Sequence, residues 1–210
     1  MTSACVYVVD DDASFLTATS RLLRASGFEV EAFGASSDFL ARCEALPPGC
    51  VVADLRMPGL DGLELQAALV RTRNPMPVVF LTGHGDIPTT VRAMREGAED
   101  FLDKRASREE LLGAVRRALA RGEREQAGRA RRDDLLARFA SLSPREREVL
   151  SGVLKGRLNK QIAGDLDIGE RMVKLHRSAI MAKLDVRAVA ELSRLAQDAG
   201  FDRDTGRPAA

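Results

Sequence analysis

Cysteine is scarce in this 210-residue sequence. The three cysteines, Cys5, Cys43 and Cys50, form no CxxC pair, and their odd number leaves one without a partner in any disulfide scheme. Cys5 and Cys50 lie in apolar, strand-like runs, and Cys43 lies on a predicted helix. All three fit the role of small buried hydrophobic residues better than that of metal ligands or disulfide partners.

Long apolar runs are missing as well. No run of about 18 apolar residues occurs, so no transmembrane helix is expected. The first residues, MTSACVYVVDDD, lack the basic start and long apolar stretch of a signal peptide, and we expect the protein to remain in the cytoplasm. With 45% hydrophobic and 30% charged residues, the composition is that of a globular protein long enough for one large or two modest domains.

Charge is unevenly distributed, although the formal net charge is only +1. Residues 1–104 contain 9 Lys and Arg against 15 Asp and Glu, whereas residues 105–140 contain 10 against 6 and residues 141–200 contain 11 against 8. An acidic first half followed by a basic second half fits a cation site followed by a module that binds a polyanion.

Short apolar runs alternate with helix-like segments over the first hundred residues. Strands this apolar are typical of a parallel sheet that is covered by helices on both faces. The five-fold alternation predicts an α/β domain with a doubly wound, five-stranded parallel sheet. The predicted strands are residues 5–9, 30–33, 50–53, 77–81 and 100–102; the predicted helices are residues 14–26, 37–45, 62–73 and 87–96, and a fifth helix begins at Ser107.

A long helix is predicted to connect this domain to a second one. The apolar stripe of the fifth helix stops near residue 120 and resumes at Leu135, so the intervening stretch is interpreted as a helical linker. Ser143 and Pro144 then start a region without strand-like runs that predicts four short helices. The predicted division is residues 1–120, the linker 121–140, the all-α domain 141–200 and a flexible tail 201–210.

Polar side chains follow four of the predicted strands, at the sheet edge where doubly wound folds bind their ligands. Clustered carboxylates repel one another unless a cation neutralises them, and oxygen ligands select a hard ion such as Mg²⁺. A lysine and a threonine nearby could bind a phosphoryl group, and a carboxylate can itself be phosphorylated. The residues are Asp10, Asp11 and Asp12 after the first strand, Asp54 after the third, Thr82 after the fourth and Lys104 after the fifth. Asp12 also fits a helix cap.

The strings VVDDD, DLRMPGLDG, FLTGHGD and GAEDFLDK resemble the receiver domain of two-component response regulators, over residues 4 to about 120. The resemblance implies a flavodoxin-like fold with Asp54 as the phosphoacceptor and a partner histidine kinase as the donor. It implies Mg²⁺ (or Mn²⁺) held by Asp10, Asp11 and Asp54, with Asp11 the more direct ligand of the acidic pair, together with the backbone carbonyl of Arg56.

The same resemblance implies that Thr82 and Lys104 contact the phosphoryl oxygens and that Phe101 repacks on activation. One departure stands out, because receivers usually follow the lysine with a proline in a cis bond and here Arg105 follows Lys104. Either the loop keeps the cis geometry, at about 3–4 kcal/mol for a non-proline bond, or it is trans and Lys104 approaches from a different angle. We expect Lys104 to function in either case.

The segment SLSPREREVLSGVLKGRLNKQIAGDLDIGERMVKLHRSAIMAKLDVR, residues 141–187, resembles the LuxR-type helix-turn-helix of the NarL/FixJ family. Its apolar residues could form a small core, and a helix over residues 170–184 would expose a basic face for the major groove of DNA. Gly169 and Met172 depart from the residues that the family prefers there, which leaves sequence preference open. The resemblance implies base contacts by Lys174, Leu175 and Ser178. Phosphate contacts are expected from Asn159, Lys160, Arg171 and Arg177.

The whole sequence therefore predicts a phosphorylation-dependent, DNA-binding transcriptional regulator, an activator by family habit. It would form a homodimer on activation, bind promoter DNA and RNA polymerase, and show no catalysis beyond accepting and slowly losing its own phosphoryl group. One alternative keeps the DNA-binding domain without phosphorylation. A second alternative is a haloacid-dehalogenase-type phosphatase that uses Asp10 and Asp12, but it leaves Asp54 and residues 143–199 without a role.

Overall fold

The computed structural model describes residues 5–72, 74–83 and 86–201. The chain divides into two compact units, Met1–Gln126 and Ala127–Ala210, which are described separately. Among the described residues, no helix combines the length and the apolar character that crossing a membrane requires.

The first unit contains a five-stranded, fully parallel sheet within the described residues. The strand order β2-β1-β3-β4-β5 is that of flavodoxin-like doubly wound folds. The predicted α/β fold is therefore confirmed, with each strand within one residue of its predicted start. The strands are β1 (Cys5–Val9), β2 (Glu29–Phe33), β3 (Gly49–Ala53), β4 (Val78–Thr82) and β5 (Asp100–Asp103).

Helices connect the strands and cover both faces of the sheet. They are α1 (Ala13–Ala25), α2 (Ser36–Leu40), α3 (Gly62–Leu69), α4 (Ile87–Arg95) and α5 (Arg108–Ala140). Asp12 caps α1 by accepting hydrogen bonds from the backbone N–H groups of Ser14 and Phe15, as its position in the sequence suggested. The fifth helix continues to Ala140, which agrees with the predicted long helix, whereas the linker limits 121–140 stay a prediction.

Two predicted helices are shorter in the structure. α2 ends at Leu40 and not at residue 45, so Cys43 lies in a turn and the prediction that it is helical was wrong. The reason is that the Asn74 amide donates to the carbonyls of Cys43 and Leu46, at 3.4 and 2.9 Å, and Pro47 follows directly. α3 ends at Leu69, four residues before its predicted end.

The sheet buries a different apolar cluster on each face. One face carries Tyr7, Val51 and Phe80, which pack against α2 and α3, and the other carries Val8 and Val52, which pack against α1 and α5. Cys50 is buried and Cys5 is half-buried, and both of these sulfhydryl groups are free, as is that of Cys43. The cysteines therefore act as small packing residues, as expected.

Gly62 brings the start of α3 against the end of β3. A Cβ atom at this position would lie 2.5 Å from the Asp54 carbonyl oxygen and 2.8 Å from the Phe80 ring. Real Cβ atoms do not approach backbone oxygen so closely, so only glycine allows the loop after Asp54 to close in this way.

Helices joined by short turns make up residues 127–200 of the second unit. It contains α6 (Pro144–Leu154), α7 (Asn159–Asp165), α8 (Glu170–Leu184) and α9 (Val189–Asp198), which confirms the predicted four-helix arrangement. A Ser143–Glu146 capping box starts α6. Val149, Leu150, Val173, Ile180 and Leu184 are all 0–1% exposed and form the centre of one shared core.

Phe201, the first residue of the predicted flexible tail, packs into the core of the second unit. Phe201 is only 7% exposed, and its ring centre lies 5.1 Å from that of Phe139 at the end of α5. An aromatic side chain that can pack on another gains more from burial than the chain end loses in entropy. The rest of the predicted tail, residues 202–210, lies outside the described residues.

Replacing Phe201 by Ala should destabilise the second unit by about 3 kcal/mol, because it empties half of a buried aromatic pair. Native-state hydrogen exchange of the α6 and α8 amides in urea measures this free energy unit by unit. Leu158→Ala, at a side chain that is 70% exposed, is the control and should change it by less than about 0.5 kcal/mol. Equal effects of the two changes would contradict the assignment of Phe201 to the core.

Candidate functional site

Four polar residues of the first unit meet at the carboxyl edge of the sheet, where the sequence placed them. Asp10 follows β1, Asp54 follows β3, Thr82 ends β4 and Lys104 follows β5. Asp10, Asp54 and Thr82 are only 2%, 8% and 2% exposed. Because buried ionised groups need partners, the contacts among these side chains decide what the site can do.

The carboxylates of Asp10, Asp11 and Asp54 form one cluster. Each offers an oxygen, and these three atoms lie within 4.8 Å of one another. Asp11 is exposed, whereas the other two are buried, so the cluster is open to solvent on one side. This all-oxygen, water-accessible donor set fits Mg²⁺, which binds through a few carboxylates and keeps several waters.

The ammonium group of Lys104 lies between the two buried carboxylates. Its Nζ is 2.6 Å from Asp10 Oδ2 and 2.7 Å from Asp54 Oδ2. It also lies 4.3 Å from the centre of the Phe15 ring, whose face is attractive to a cation. Phe15 was not among the predicted site residues, since an aromatic residue in the first turn of a helix resembles ordinary core.

These contacts shift the pKa of two groups in the cluster. Burial raises the pKa of Asp10, and the hydrogen bonds from Lys104 and from the Asp12 backbone N–H offset only part of that rise. Burial alone would lower the pKa of Lys104, but the hydrogen bonds to Asp10 and Asp54 outweigh it and raise the pKa. Lys104 therefore stays protonated and supplies the positive charge of the site.

Asp54 is oriented by both its backbone neighbours and Lys104. Its Oδ1 accepts hydrogen bonds from the backbone N–H groups of Leu55 and Arg56, at 2.6 and 3.3 Å, while its Oδ2 accepts from Lys104. Next to it lies an open pocket of about 560 Å³. The residues that line this pocket include the neighbours of both Asp10 and Asp54, and they are Asp11, Leu55, Arg56, Met57, Pro58, Asp61, Leu63 and Thr89.

The loop after β5 shows which geometry the Lys104–Arg105 peptide bond has in the absence of a proline. No cis peptide bond occurs between residues that the structure describes, so the Lys104–Arg105 bond is trans. The backbone N–H of Lys104 donates to the Thr82 carbonyl at 2.9 Å, and the side chain still reaches both carboxylates. Phe101 is half-buried in β5, with its ring centre 5.9 Å from that of Phe80.

In the second unit, α7 and α8 form a helix-turn-helix. Asp167 adopts a left-handed conformation (φ 50°) in the turn, and Gly169 precedes α8 without a side-chain cap. Val173, Ile180 and Leu184 are buried on one face of α8. The opposite face exposes Arg171, Lys174, Leu175 and Ser178, with Leu175 56% exposed.

Two of the predicted phosphate-binding residues contact each other. Arg177 Nη1 donates to the Asn159 side-chain oxygen at 2.9 Å, and both side chains are half-buried. This hydrogen bond ties the start of α7 to the middle of α8. Lys160, the next residue of α7, is exposed.

An ion pair between a buried glutamate and a partly exposed lysine anchors the far end of α8. Lys183 Nζ lies 2.7 Å from Glu146 Oε2 and also donates to the Ser141 carbonyl at 3.2 Å. Burial would raise the pKa of Glu146, but hydrogen bonds from Lys183 and Ser143 outweigh it and lower the pKa. The orientation of α8 against α6 therefore depends partly on an ionised Glu146.

Both parts of the chain match known families. Residues 6–116 match the response regulator receiver domain, and residues 140–196 match bacterial regulatory proteins of the luxR family. Transcriptional regulatory protein FixJ of Bradyrhizobium diazoefficiens is 41% identical over 203 residues, which cover 97% of this chain and 99% of the relative. Response regulator protein TodT of Pseudomonas putida is 42% identical, over 93% of this chain and 86% of the relative.

Two solved structures cover nearly the whole chain. The response regulator StyR, at 45% identity, aligns with a TM-score of 0.84 over 93% of this chain and 99% of its own. Full-length FixJ from B. japonicum, at 40% identity, aligns with a TM-score of 0.58 over 96% of this chain and 100% of its own. This chain belongs to the response regulators.

A response regulator with a LuxR-type domain is a phosphorylation-dependent transcription regulator that binds DNA, and it is not a classical enzyme. Receiver domains take their phosphoryl group from a histidine kinase and bind Mg²⁺ through acidic residues. Family membership leaves the phosphatase alternative, with Asp10 as nucleophile, without support.

The Glu146 ion pair predicts how the stability of this regulator's DNA-binding unit depends on pH. Because the pKa of Glu146 is lower in the folded than in the unfolded state, its contribution is present above the unfolded pKa and is lost as the pH falls through the folded pKa. Hydrogen exchange of the α8 amides between pH 7 and pH 4 should therefore show a steeper loss of stability in wild type than in Glu146→Gln. Parallel profiles would contradict this role. Glu148→Gln, which alters an exposed pair with Arg145, is the control.

Proposed function

We propose that Asp54 accepts a phosphoryl group from a phosphohistidine of a partner kinase, and that this modification controls DNA binding by α8. The observation that carries the proposal is the placement of Asp54. It is a buried carboxylate beside Asp10 and Asp11, with the Lys104 ammonium 2.7 Å from its Oδ2. This combination supplies a nucleophile and a cation binding set, together with a positive charge for the incoming group.

In the transfer, an oxygen of Asp54 forms a bond to phosphorus as the bond between phosphorus and the imidazole nitrogen breaks, and the electron pair stays on the imidazole. Asp10, Asp11, Asp54 and the backbone carbonyl of Arg56 would hold Mg²⁺ (or Mn²⁺), which would supply positive charge to neutralise the phosphoryl group. Lys104 and the Thr82 hydroxyl are the groups of this chain that contact the phosphoryl oxygens. Water later hydrolyses the acyl phosphate slowly.

The output is a shift between two populations. Thr82 ends β4 and Phe101 lies in β5, and these two strands are paired to each other. Movement of Thr82 toward a phosphoryl group would therefore change the packing of Phe101. We propose that the shifted state favours a homodimer on promoter DNA, where the regulator activates transcription with RNA polymerase. A ligand or modification shifts such a balance only by its different affinity for the two states.

Asp54→Asn should abolish both phosphorylation by acetyl phosphate and the gain in DNA affinity that the phosphodonor produces. Asn has no ionised oxygen with which to attack phosphorus. Intact mass reports the phosphoryl group, and fluorescence anisotropy with promoter DNA reports the affinity. Asp38→Asn, at an exposed residue of α2, is the matched control and should behave as wild type. Unchanged DNA affinity upon phosphorylation of the wild-type chain would favour the phosphorylation-independent regulator instead.

We further propose that α8 lies in the major groove. Lys174, Leu175 and Ser178 on its exposed face would contact bases, and Arg171 beside them would contact phosphate. Asn159, Lys160 and Arg177 would contact the phosphate backbone from the α7 side. The hydrogen bond between Asn159 and Arg177 supports this assignment, because it holds two groups that can bind DNA phosphates next to each other in the free protein.

Substitution at the two kinds of contact should give different results. Lys174→Ala should cost about 1–3 kcal/mol on the specific site and relax preference at one base position, whereas Arg171→Ala should weaken binding to all sequences and lower the salt slope by about 1. Anisotropy titrations on specific and scrambled DNA at several salt concentrations separate the two. The assignment would be wrong if Lys174→Ala weakened both DNAs equally and left the specificity ratio unchanged.

A further inference from the structure

The residues on either side of Lys104 are bonded to each other. The Asp103 Oδ1 accepts hydrogen bonds from the Arg105 backbone N–H at 2.7 Å and from Arg105 Nε at 2.9 Å, and its Oδ2 accepts from Arg105 Nη2 at 3.1 Å. The Asp103 carbonyl also accepts from the Ala106 backbone N–H at 2.8 Å. Lys104 therefore lies in a tight turn, which is closed by hydrogen bonds from Arg105 to the Asp103 carboxylate.

A surface ion pair alone would not account for this arrangement. The side chains of Asp103 and Arg105 are 46% and 90% exposed, and exposed pairs contribute little. The hydrogen bond that the Arg105 backbone N–H donates to the Asp103 carboxylate is different, because it fixes the backbone between the two residues. Hydrogen bonds from the Arg105 side chain and backbone lower the pKa of Asp103 to about 2, so the acceptor stays ionised at physiological pH.

Lys104 needs such a constraint more than most lysines do. Its ammonium group must meet two carboxylates at 2.6 and 2.7 Å from the end of a flexible stem. A proline after the lysine would restrict the backbone by fixing φ, but Arg105 leaves φ free. We propose that Asp103 is a positioning residue, which by accepting the hydrogen bond of the Arg105 backbone N–H fixes the turn that directs Lys104 at Asp10 and Asp54.

This inference rests on the proposed phosphorylation of Asp54, so the test measures the initial rate of phosphorylation by acetyl phosphate with Mg²⁺, read by intact mass. Asp103→Ala removes every side-chain bond of the turn and should slow the reaction about tenfold, because small misplacements of a charged group are costly. Asp103→Asn keeps an acceptor for the Arg105 backbone N–H, and Arg105→Ala keeps the N–H itself. The phosphorylation rate of each variant should therefore stay within about threefold of the wild-type rate.

A double-variant cycle separates positioning from a general structural effect. If Asp103 acts through Lys104, Asp103→Ala should have no further effect in a Lys104→Ala background. A general loss of stability would instead slow both backgrounds equally. Glu31→Ala, which removes a second exposed ion pair of the same unit, with Arg42 at 2.5 Å, is the matched control and should keep the wild-type rate.

Three results would overturn the inference: a wild-type rate for Asp103→Ala, equal losses for Asp103→Ala and Arg105→Ala, or additive losses in the cycle. Each of these leaves the proposed function standing, because wild type is still phosphorylated at Asp54. A wild-type chain that takes up no phosphoryl group overturns the proposed function and this inference with it.

Discussion

The ammonium group of Lys104 holds two buried carboxylates together, and the rest of the receiver domain depends on that contact. Asp10 and Asp54 are both nearly inaccessible to solvent, and each would repel the other without a cation between them. The parallel sheet makes the contact possible, because its order brings β1 and β3 side by side and leaves β5 at the edge beyond β4. The same geometry leaves Asp11 exposed beside the pair, where a hydrated metal ion can bind.

The DNA-binding unit meets its constraints in another way. Its core is small, so α8 is oriented by two polar contacts as well as by apolar packing. Arg177 contacts Asn159 near the middle of the helix, and Lys183 contacts Glu146 at its last turn. These contacts leave the face with Lys174 and Leu175 exposed to solvent. A helix held in this way keeps the residues proposed to contact bases on one exposed face before DNA binds.

Much of the fold and of the carboxylate cluster could be predicted from the sequence, because strand-end residues of a parallel sheet must share one edge. The rest depends on contacts between residues distant in sequence, or on turns that have no strong pattern. Asn74 donates to the carbonyl of Cys43, 31 residues away in the turn after α2, and Phe15 of α1 contacts Lys104 in the turn after β5. No pattern in the sequence indicated the Asp103–Arg105 turn, because an acidic and a basic residue two positions apart are common on exposed loops. The burial of Phe201 could not be predicted, because a single aromatic residue near the end of the sequence has no periodic pattern around it.

We expect Asp54 to be the only acceptor in a cluster of several carboxylates, and peptide mapping after borohydride reduction tests this expectation most directly. Reduction converts an aspartyl phosphate into homoserine, which marks the modified residue permanently. After treatment with acetyl phosphate and Mg²⁺, the account predicts homoserine at residue 54 and aspartate at residues 10, 11 and 12. Homoserine at Asp10 or Asp11, with residue 54 unchanged, would contradict it.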